Sequence, residues 1–265
     1  RRSARPRTGA VRVRVRRELP PRISDHFREG EKVWHRKWGM HLHRDYTKYR
    51  SNQLWVGDFH QADVFCRRSD SDPTIVRPLH AGWMDLRSRM IVGHLWCESE
   101  NQDNVLLAFR AGVEKHGAPD QVCIDNGKPY RAHGVSGGRA RMSDEDEKYI
   151  KSVFGSLDIE VHFSIPFNPD SKPIERWHRT LEEQFGATFA SYCGGEKDAR
   201  FDFAYRLSRE HPEKCPTVSE YAAAYEKYLE AYHATPHTGS GMDGLCPRDA
   251  FDRFDPVARK VPPAG

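Results

Sequence analysis

Three acidic residues stand where a carboxylate needs a reason. Asp58 lies inside the apolar run W-V-G-D-F-H-Q-A, Asp125 closes V-C-I-D-N-G-K-P-Y, and Glu175 opens the stretch S-K-P-I-E-R-W. An aspartate flanked by Trp55, Val56 and Phe59 is costly to bury without a partner. Taken singly, the other two have ordinary explanations: Asp125 before Asn126-Gly127 suits a strand-end turn, and Glu175 suits the positive end of a helix. Taken together, the three suit a hard cation. Mg²⁺ prefers carboxylate oxygens, keeps several waters and shares its shell with substrate phosphate. Two such ions about 3.5–4 Å apart can activate the attacking oxygen and stabilise the leaving oxygen of an in-line phosphoryl transfer. Without metal the same three carboxylates would repel one another, and their proton affinities would be raised and coupled.

For the acids to meet, the chain must bring two strands and a helix start together. Leu54 to Arg67 reads as a first strand, Ile75 to Leu86 as a second and Met90 to Cys97 as a third, with turn-prone residues at 69–73 and 87–89 between them. Asn101 to His116 places Val105, Leu106, Phe109 and Val113 at helical spacing and stops at Gly117-Ala118-Pro119. The short apolar run Gln121 to Ile124, ending at Asp125, and the run Ile159 to Ile165 read as buried parallel strands, with a polar loop and helix over 136–152 between them. Lys172 to Phe189 reads as a long helix and 199–234 as two more. This βββαβαβα order predicts an α/β fold with a mixed five-stranded sheet flanked by helices, and it is the order of the ribonuclease-H-like fold. If strands one and four are neighbours, Asp58 and Asp125 lie side by side, and a helix packed beside them can bring up Glu175. No internal repeat is visible.

Composition bounds the rest. The 265 residues are 37% hydrophobic and 30% charged with a mean hydropathy of −0.80, so part of the chain is expected to be extended or solvent-facing. The net charge of +4 is uneven: residues 1–22 hold nine arginines against Glu18, a net +8, and the remainder sums to −4. A polyanion would therefore be gripped by this basic N-terminal arm and by local patches rather than by the field of the body. In the arm, V-R-V-R-V-R-R at 11–17 suits an extended segment on a groove or a solvated linker. The domain reading is a basic arm at 1–22, a helical connector at 23–50, a catalytic domain at 51–240 and a linker at 241–265. Six scattered cysteines offer no C-x-x-C pair, which argues against a zinc or redox site and for reduced thiols. No apolar run approaches the ~20 residues a membrane helix needs, so a cytoplasmic protein is expected. Without an initiator Met, both ends read as cut from a longer chain.

At Asp58, Asp125 and Glu175, with I-D-N at 124–126 and K-P-I-E-R at 172–176, the sequence resembles the DDE transposases and retroviral-type integrases. Within that group it is similar to the family of the bacteriophage Mu transposase over roughly 45–255. The segments R-P-L-H-A-G-W-M-D-L-R-S-R-M-I-V-G at 77–93 and Y-H-A-T-P-H-T at 232–238 belong to the likeness. The resemblance implies a metal-dependent core in which Asp58, Asp125 and Glu175 are catalytic and hold Mg²⁺, with Mn²⁺ able to substitute and two ions expected. It implies hydrolytic nicking at element ends and 3′-hydroxyl strand transfer into double-stranded target DNA. It further implies a homo-oligomer assembled on DNA in a bacterial or phage-infected cell, a target-delivering ATPase as a partner, and end-binding and β-barrel domains beyond the two termini. Fifty positions separate Asp125 from Glu175, longer than the interval typical of the integrases, which leaves Glu160 and Glu182 as rivals for the third acid. Arg12, Arg14, Arg16, Arg17, Lys128, Lys172, Arg176 and Arg179 are candidate phosphate contacts. His60 and Asn126 are candidate supports for a water or phosphate, and Trp83 and Trp177 read as core. Two other functions fit the same residues: a nuclease of this fold without the joining step, and a non-catalytic DNA-binding relative.

Overall fold

The computed structural model describes residues 20–38, 45–125, 148, 152–164, 173–194, 199–254 and 256 of the chain. The chain divides into two compact units, 1–44 and 45–265. The first holds helix α1, Pro21–Trp38, which Gly30 breaks at φ 78° into two halves. The halves fold back on each other: Trp34 Nε1 donates to Arg22 O at 2.6 Å and Trp38 Nε1 to Asp25 Oδ2 at 3.0 Å. Arg12, Arg14, Arg16 and Arg17 lie outside the described residues.

The second unit is built on strands β1 (Leu54–Gln61), β2 (Cys66–Arg67), β3 (Ile75–Val76), β4 (Leu79–Asp85), β5 (Ile91–Cys97), β6 (Gln121–Asp125) and β7 (Glu160–Ser164). Five of them form one sheet in the order β5-β4-β1-β6-β7. The first three run antiparallel as a meander, and β6 and β7 add parallel to β1. This mixed sheet with helices packed on it is the ribonuclease-H-like arrangement.

The first two strands are shorter than their apolar runs. Pro78 has no N–H for a ladder, its carbonyl accepts from Ala62 N–H at 2.9 Å, and the residues beyond peel off as the β2–β3 ribbon. Helices of this unit include α2 (Gln102–His116), α3 (Pro173–Gln184), α4 (Ala199–Glu210), α5 (Val218–Ala234) and α6 (Pro247–Arg253). Asn101 caps α2 by accepting from Asn104 N–H, and Gly117 ends it at φ 78°. The expected single helix from 172 to 189 is α3 followed by a 3₁₀ turn, Gly186–Thr188. Most of 136–152 lies outside the described residues.

The sheet buries a different core on each face. Alternation sends Trp55 of β1, Trp83 of β4 and Val122 and Ile124 of β6 toward α2, where they meet Phe109, Phe154 and Phe251 of α6. The opposite parity sends Leu54 and Val56 toward α3 and α5, against Ile174, Trp177, Leu181, Tyr221 and Tyr225. Trp83 and Trp177 are thus core, at 1% and 3% exposure.

Both singled-out segments serve this packing. The buried Asp85 carboxylate accepts from Asn52 N–H at 2.9 Å and from Ser88 N–H at 2.8 Å, tying the β4–β5 turn to the start of β1. Burial raises the Asp85 carboxyl to about 6. His233 Nε2 accepts from Ile91 N–H at 3.1 Å, and Tyr232 Oη donates to Arg89 O at 3.1 Å. All six cysteines are free thiols, and among the described residues no helix is long and apolar enough to cross a membrane.

Candidate active site

Registry places the first two acids. In the parallel pair, Leu54 faces Gln121, Trp55 faces Val122, Val56 faces Cys123 and Gly57 faces Ile124. One step further along both strands are Asp58 and Asp125. The structure describes Asp125 by its backbone, which pairs with Ser164 of β7.

The third acid comes from the helix that covers this end of β1. Asp58 and His60 continue the strand face begun by Leu54 and Val56, and α3 packs against β1 on that face. Glu175, His178 and Glu182 recur at i, i+3 and i+7, so they form one line along the helix beside the Ile174–Trp177–Leu181 stripe buried in the core. Glu175 is half-buried in the first turn.

The line of α3 and the face of β1 interlock. Asp58 keeps 18% of its side chain exposed. Its Oδ1 accepts from Phe59 N–H at 3.0 Å, and its Oδ2 lies 3.7 Å from His178 Nδ1, beyond hydrogen-bond reach. The His178 ring stacks on His60, with centroids 4.7 Å apart and planes 14° apart. His60 Nε2 donates to Glu182 Oε1 at 2.7 Å, and Glu182 Oε2 accepts from Asp63 N–H at 3.1 Å. Arg77 pairs with Asp63 and donates Nε–H to Ala62 O at 2.8 Å. Below this layer His80 is fully buried, its Nε2 at 2.9 Å from Tyr225 Oη.

Burial sets the charges. It pushes His178 and His80 well below the usual imidazole range, helped by neighbouring histidines, so both rings are neutral at neutral pH. Burial first and the Glu182 carboxylate second raise Asp63, while Arg77 and His60 oppose the rise.

Several candidate residues find definite places. Glu160 faces Gln121 at the opposite end of β6 from Asp125 and accepts from its amide at 3.0 Å, so this rival is about 13 Å along the strand from the paired aspartates. Glu182 is 5% exposed, with both oxygens committed to His60 and Asp63. His60 therefore directs its Nε2 to Glu182. Arg176 and Arg179 are exposed on α3. Asn126, Lys128 and Lys172 lie outside the described residues.

Hard oxygen donors on β1, β6 and α3 suit Mg²⁺ by their chemistry. Among the described residues no group of three or more His, Cys, Asp or Glu is gathered to hold a metal ion. The Asp125 side chain lies outside the described residues. A narrow cleft lined by Gly57, Asp58, Phe59, Gly82, Trp83 and Ile124 opens beside Asp58.

His178 was not singled out in the sequence, and His60 and Glu182, each named there in another role, were not expected to pair with one another. The spacing held the signal: on a helix that starts with a candidate ligand, positions three and seven further on face the same neighbour.

The sequence profile of the family described as Bacteriophage Mu transposase matches residues 48–233. The Mu-like prophage FluMu transposase A of Haemophilus influenzae is 24% identical over 274 aligned positions, which span 97% of this chain and 38% of that protein. The chain therefore spans about two fifths of that relative's length. Among solved structures, a chain of the simian T-cell lymphotropic virus intasome in complex with PP2A regulatory subunit B56 gamma is similar at TM-score 0.48 and 16% identity, covering 84% of this chain and 62% of that one. The HTLV-2 integrase catalytic core domain in complex with magnesium is similar at TM-score 0.43 and 14% identity, covering 76% and 96%. Both likenesses are loose, and the fold stands on the strand order.

Proposed function

Because the chain belongs to the bacteriophage Mu transposase family, we propose that it is the catalytic core of a DNA transposase, hydrolysing one strand at each element end and joining the freed 3′-hydroxyl to target DNA. The observation that carries this reading is the registry of β1 and β6, which sets Asp58 and Asp125 at the same level of adjacent parallel strands under the helix that bears Glu175.

In this reading Asp58, Asp125 and Glu175 hold Mg²⁺, with Mn²⁺ able to replace it. Two bound ions would activate the attacking oxygen and stabilise the leaving oxygen. The chain's own groups do the rest. Strands β1 and β6 fix the two aspartates on a rigid sheet, so their separation is set by the ladder rather than by a loop. Helix α3, anchored by Ile174, Trp177 and Leu181 in the core, would bring Glu175 to them. The neutral His178 and His80 keep positive charge out of the layer beneath, leaving the carboxylates' negative charge for the cations. Arg176 and Arg179 are exposed on α3, and we read them, with Lys128, Lys172, Arg12, Arg14, Arg16 and Arg17, as the residues that would contact phosphates.

The substrates are double-stranded DNA at the element ends and at the target, and the working form is a multimer assembled on DNA, with a target-delivering ATPase as a further partner in the bacterial cytoplasm. The residues of the catalytic body are 51–240. Asp125→Asn in the full-length protein is expected to abolish both end nicking and strand transfer while leaving end binding intact. Nicking that survives Asp125→Asn would refute the reading, and nicking without any strand transfer in the unaltered protein would replace it with a nuclease.

A further inference from the structure

The three acids do not explain the nitrogen-bearing layer packed under one of them. His178 is 4% exposed, sits one helical turn from Glu175, and turns Nδ1 toward Asp58 Oδ2 at 3.7 Å. Among the described residues its Nε2 is buried without a hydrogen-bond partner. A neutral imidazole carries one hydrogen, and its position decides which nitrogen is a donor. An orphaned buried N–H is rarer than an orphaned acceptor, so the hydrogen belongs on Nδ1, facing the carboxylate. His60 covers the ring at 4.7 Å and 14°, Trp177 tilts against it at 5.3 Å and His80 meets it edge-on at 5.9 Å. His60 is itself held by Glu182 at 2.7 Å. The ring plane of His178 is thus constrained from several sides, and Glu182 is the outer member of a chain Glu182–His60–His178–Asp58.

We infer that His178 is the positioning residue of Asp58: its Nδ1–H orients the Oδ2 side of the carboxylate, and His60, fixed by Glu182, holds the His178 ring in the plane that does so. In this structure the contact is long. When Asp58 takes up a cation, this contact is expected to close toward the ~2.9 Å of an N–H···O bond. The residue acts through Asp58 and touches neither metal nor DNA. The role rests on the metal-binding reading of Asp58 proposed above, and partners of this outer kind are worth about 10–100-fold in metal affinity.

Two measurements test it. The first uses the unaltered chain labelled with ¹⁵N-histidine: NMR is expected to show His178 as the Nδ1–H tautomer, with its Nδ1 resonance moving when Mg²⁺ is added. An Nε2–H tautomer overturns the inference, and this readout needs no variant to fold. The second follows Mn²⁺ binding by the loss of the free-ion electron paramagnetic resonance signal, with the melting temperature of each protein recorded alongside. His178→Phe keeps a ring for the stack and is expected to weaken Mn²⁺ binding about tenfold or more at an unchanged melting temperature. His178→Asn, whose amide N–H can stand near the Nδ1 position, is expected to recover most of that loss. Wild-type affinity in His178→Phe, or an Asn variant as weak as the Phe variant, overturns the inference. If Asp58→Asn leaves Mn²⁺ binding unchanged, the metal-binding reading itself fails, while the tautomer still decides whether His178 faces Asp58 with its hydrogen.

Discussion

Replacing Glu182 with alanine tests the claim that this acid is a fastener and not a ligand. Glu182 is 5% exposed and holds two donors, His60 Nε2–H at 2.7 Å and Asp63 N–H at 3.1 Å. A hydrogen bond to a charged group contributes about 1.5–3 kcal/mol, and a buried donor left without a partner adds its own desolvation penalty. The His60 bond takes a discount because that side chain is 24% exposed and water can replace the lost acceptor. Removing the Glu182 charge also relieves its repulsion of Asp63, which returns part of the loss. The net expectation for Glu182→Ala is a destabilisation of about 3 kcal/mol, which in a chain of this size lowers the melting temperature by about 6–12 °C. Glu182→Gln keeps an acceptor for Asp63 N–H and is expected to lose about half as much. Calorimetric melts of the three proteins decide it. A shift under about 2 °C for Glu182→Ala would show that the buried pair fastens nothing, and the placement of α3 against β1 would need another cause.

Two further expectations concern the frame around the site. A Cβ at Gly93 of β5 would lie 2.3 Å from Ala108 O and 2.9 Å from Gly112 N of α2, so Gly93→Ala is expected to destabilise the fold by about 3 kcal/mol, and an unchanged denaturation midpoint would contradict this tight seat of helix on sheet. Burial, with a smaller push from Arg248, drives His233 down to about 3, so as pH falls from about 6.5 to about 3 the unfolded chain takes up a proton there that the folded chain does not, and stability is lost with acid. His233→Gln, which keeps an acceptor for Ile91 N–H, is expected to flatten the pH dependence of the melting temperature in that window, and an unchanged slope would rule His233 out as its source.

The parts of the fold that were legible in the sequence are those with a local physical signal. The apolar run around Asp58 ends in polar residues, Asn101 and Gly117 mark the two ends of α2, and the short runs before Asp125 and Ser164 have the length and composition of parallel strands. Strand limits were less legible. Apolar character continues past Gln61 and before Leu79, and the break comes from Pro78 and the separate β2–β3 ribbon, a pairing that composition does not encode.

Within the candidate site, Asp58 was visible because it interrupts an apolar run, whereas Asp125 and Glu175 fit their local patterns and stood out only through their joint placement on a strand end and a helix start. What sequence could not separate was Glu175 from Glu160 and Glu182 by residue type alone. Glu160 is set apart by its register against Gln121, and Glu182 by a histidine 122 positions away. His178 was hidden for the same reason: its neighbours Asp58, His60 and His80 come from strands far away in sequence, and only the packing of α3 on the sheet brings them to it.

Asp58, Asp125 and Glu175 are proposed to share one metal site, and anomalous diffraction from crystals of this chain soaked in Mn²⁺ would locate the ion. The expected result is an anomalous peak between β1 and β6, within about 2–2.5 Å of carboxylate oxygens of Asp58 and Asp125, with Glu175 of α3 on the same ion or on a second one about 3.5–4 Å away. Carboxylates of Asp58 and Asp125 too far apart to share an ion at saturating Mn²⁺, with the peak elsewhere, would contradict it.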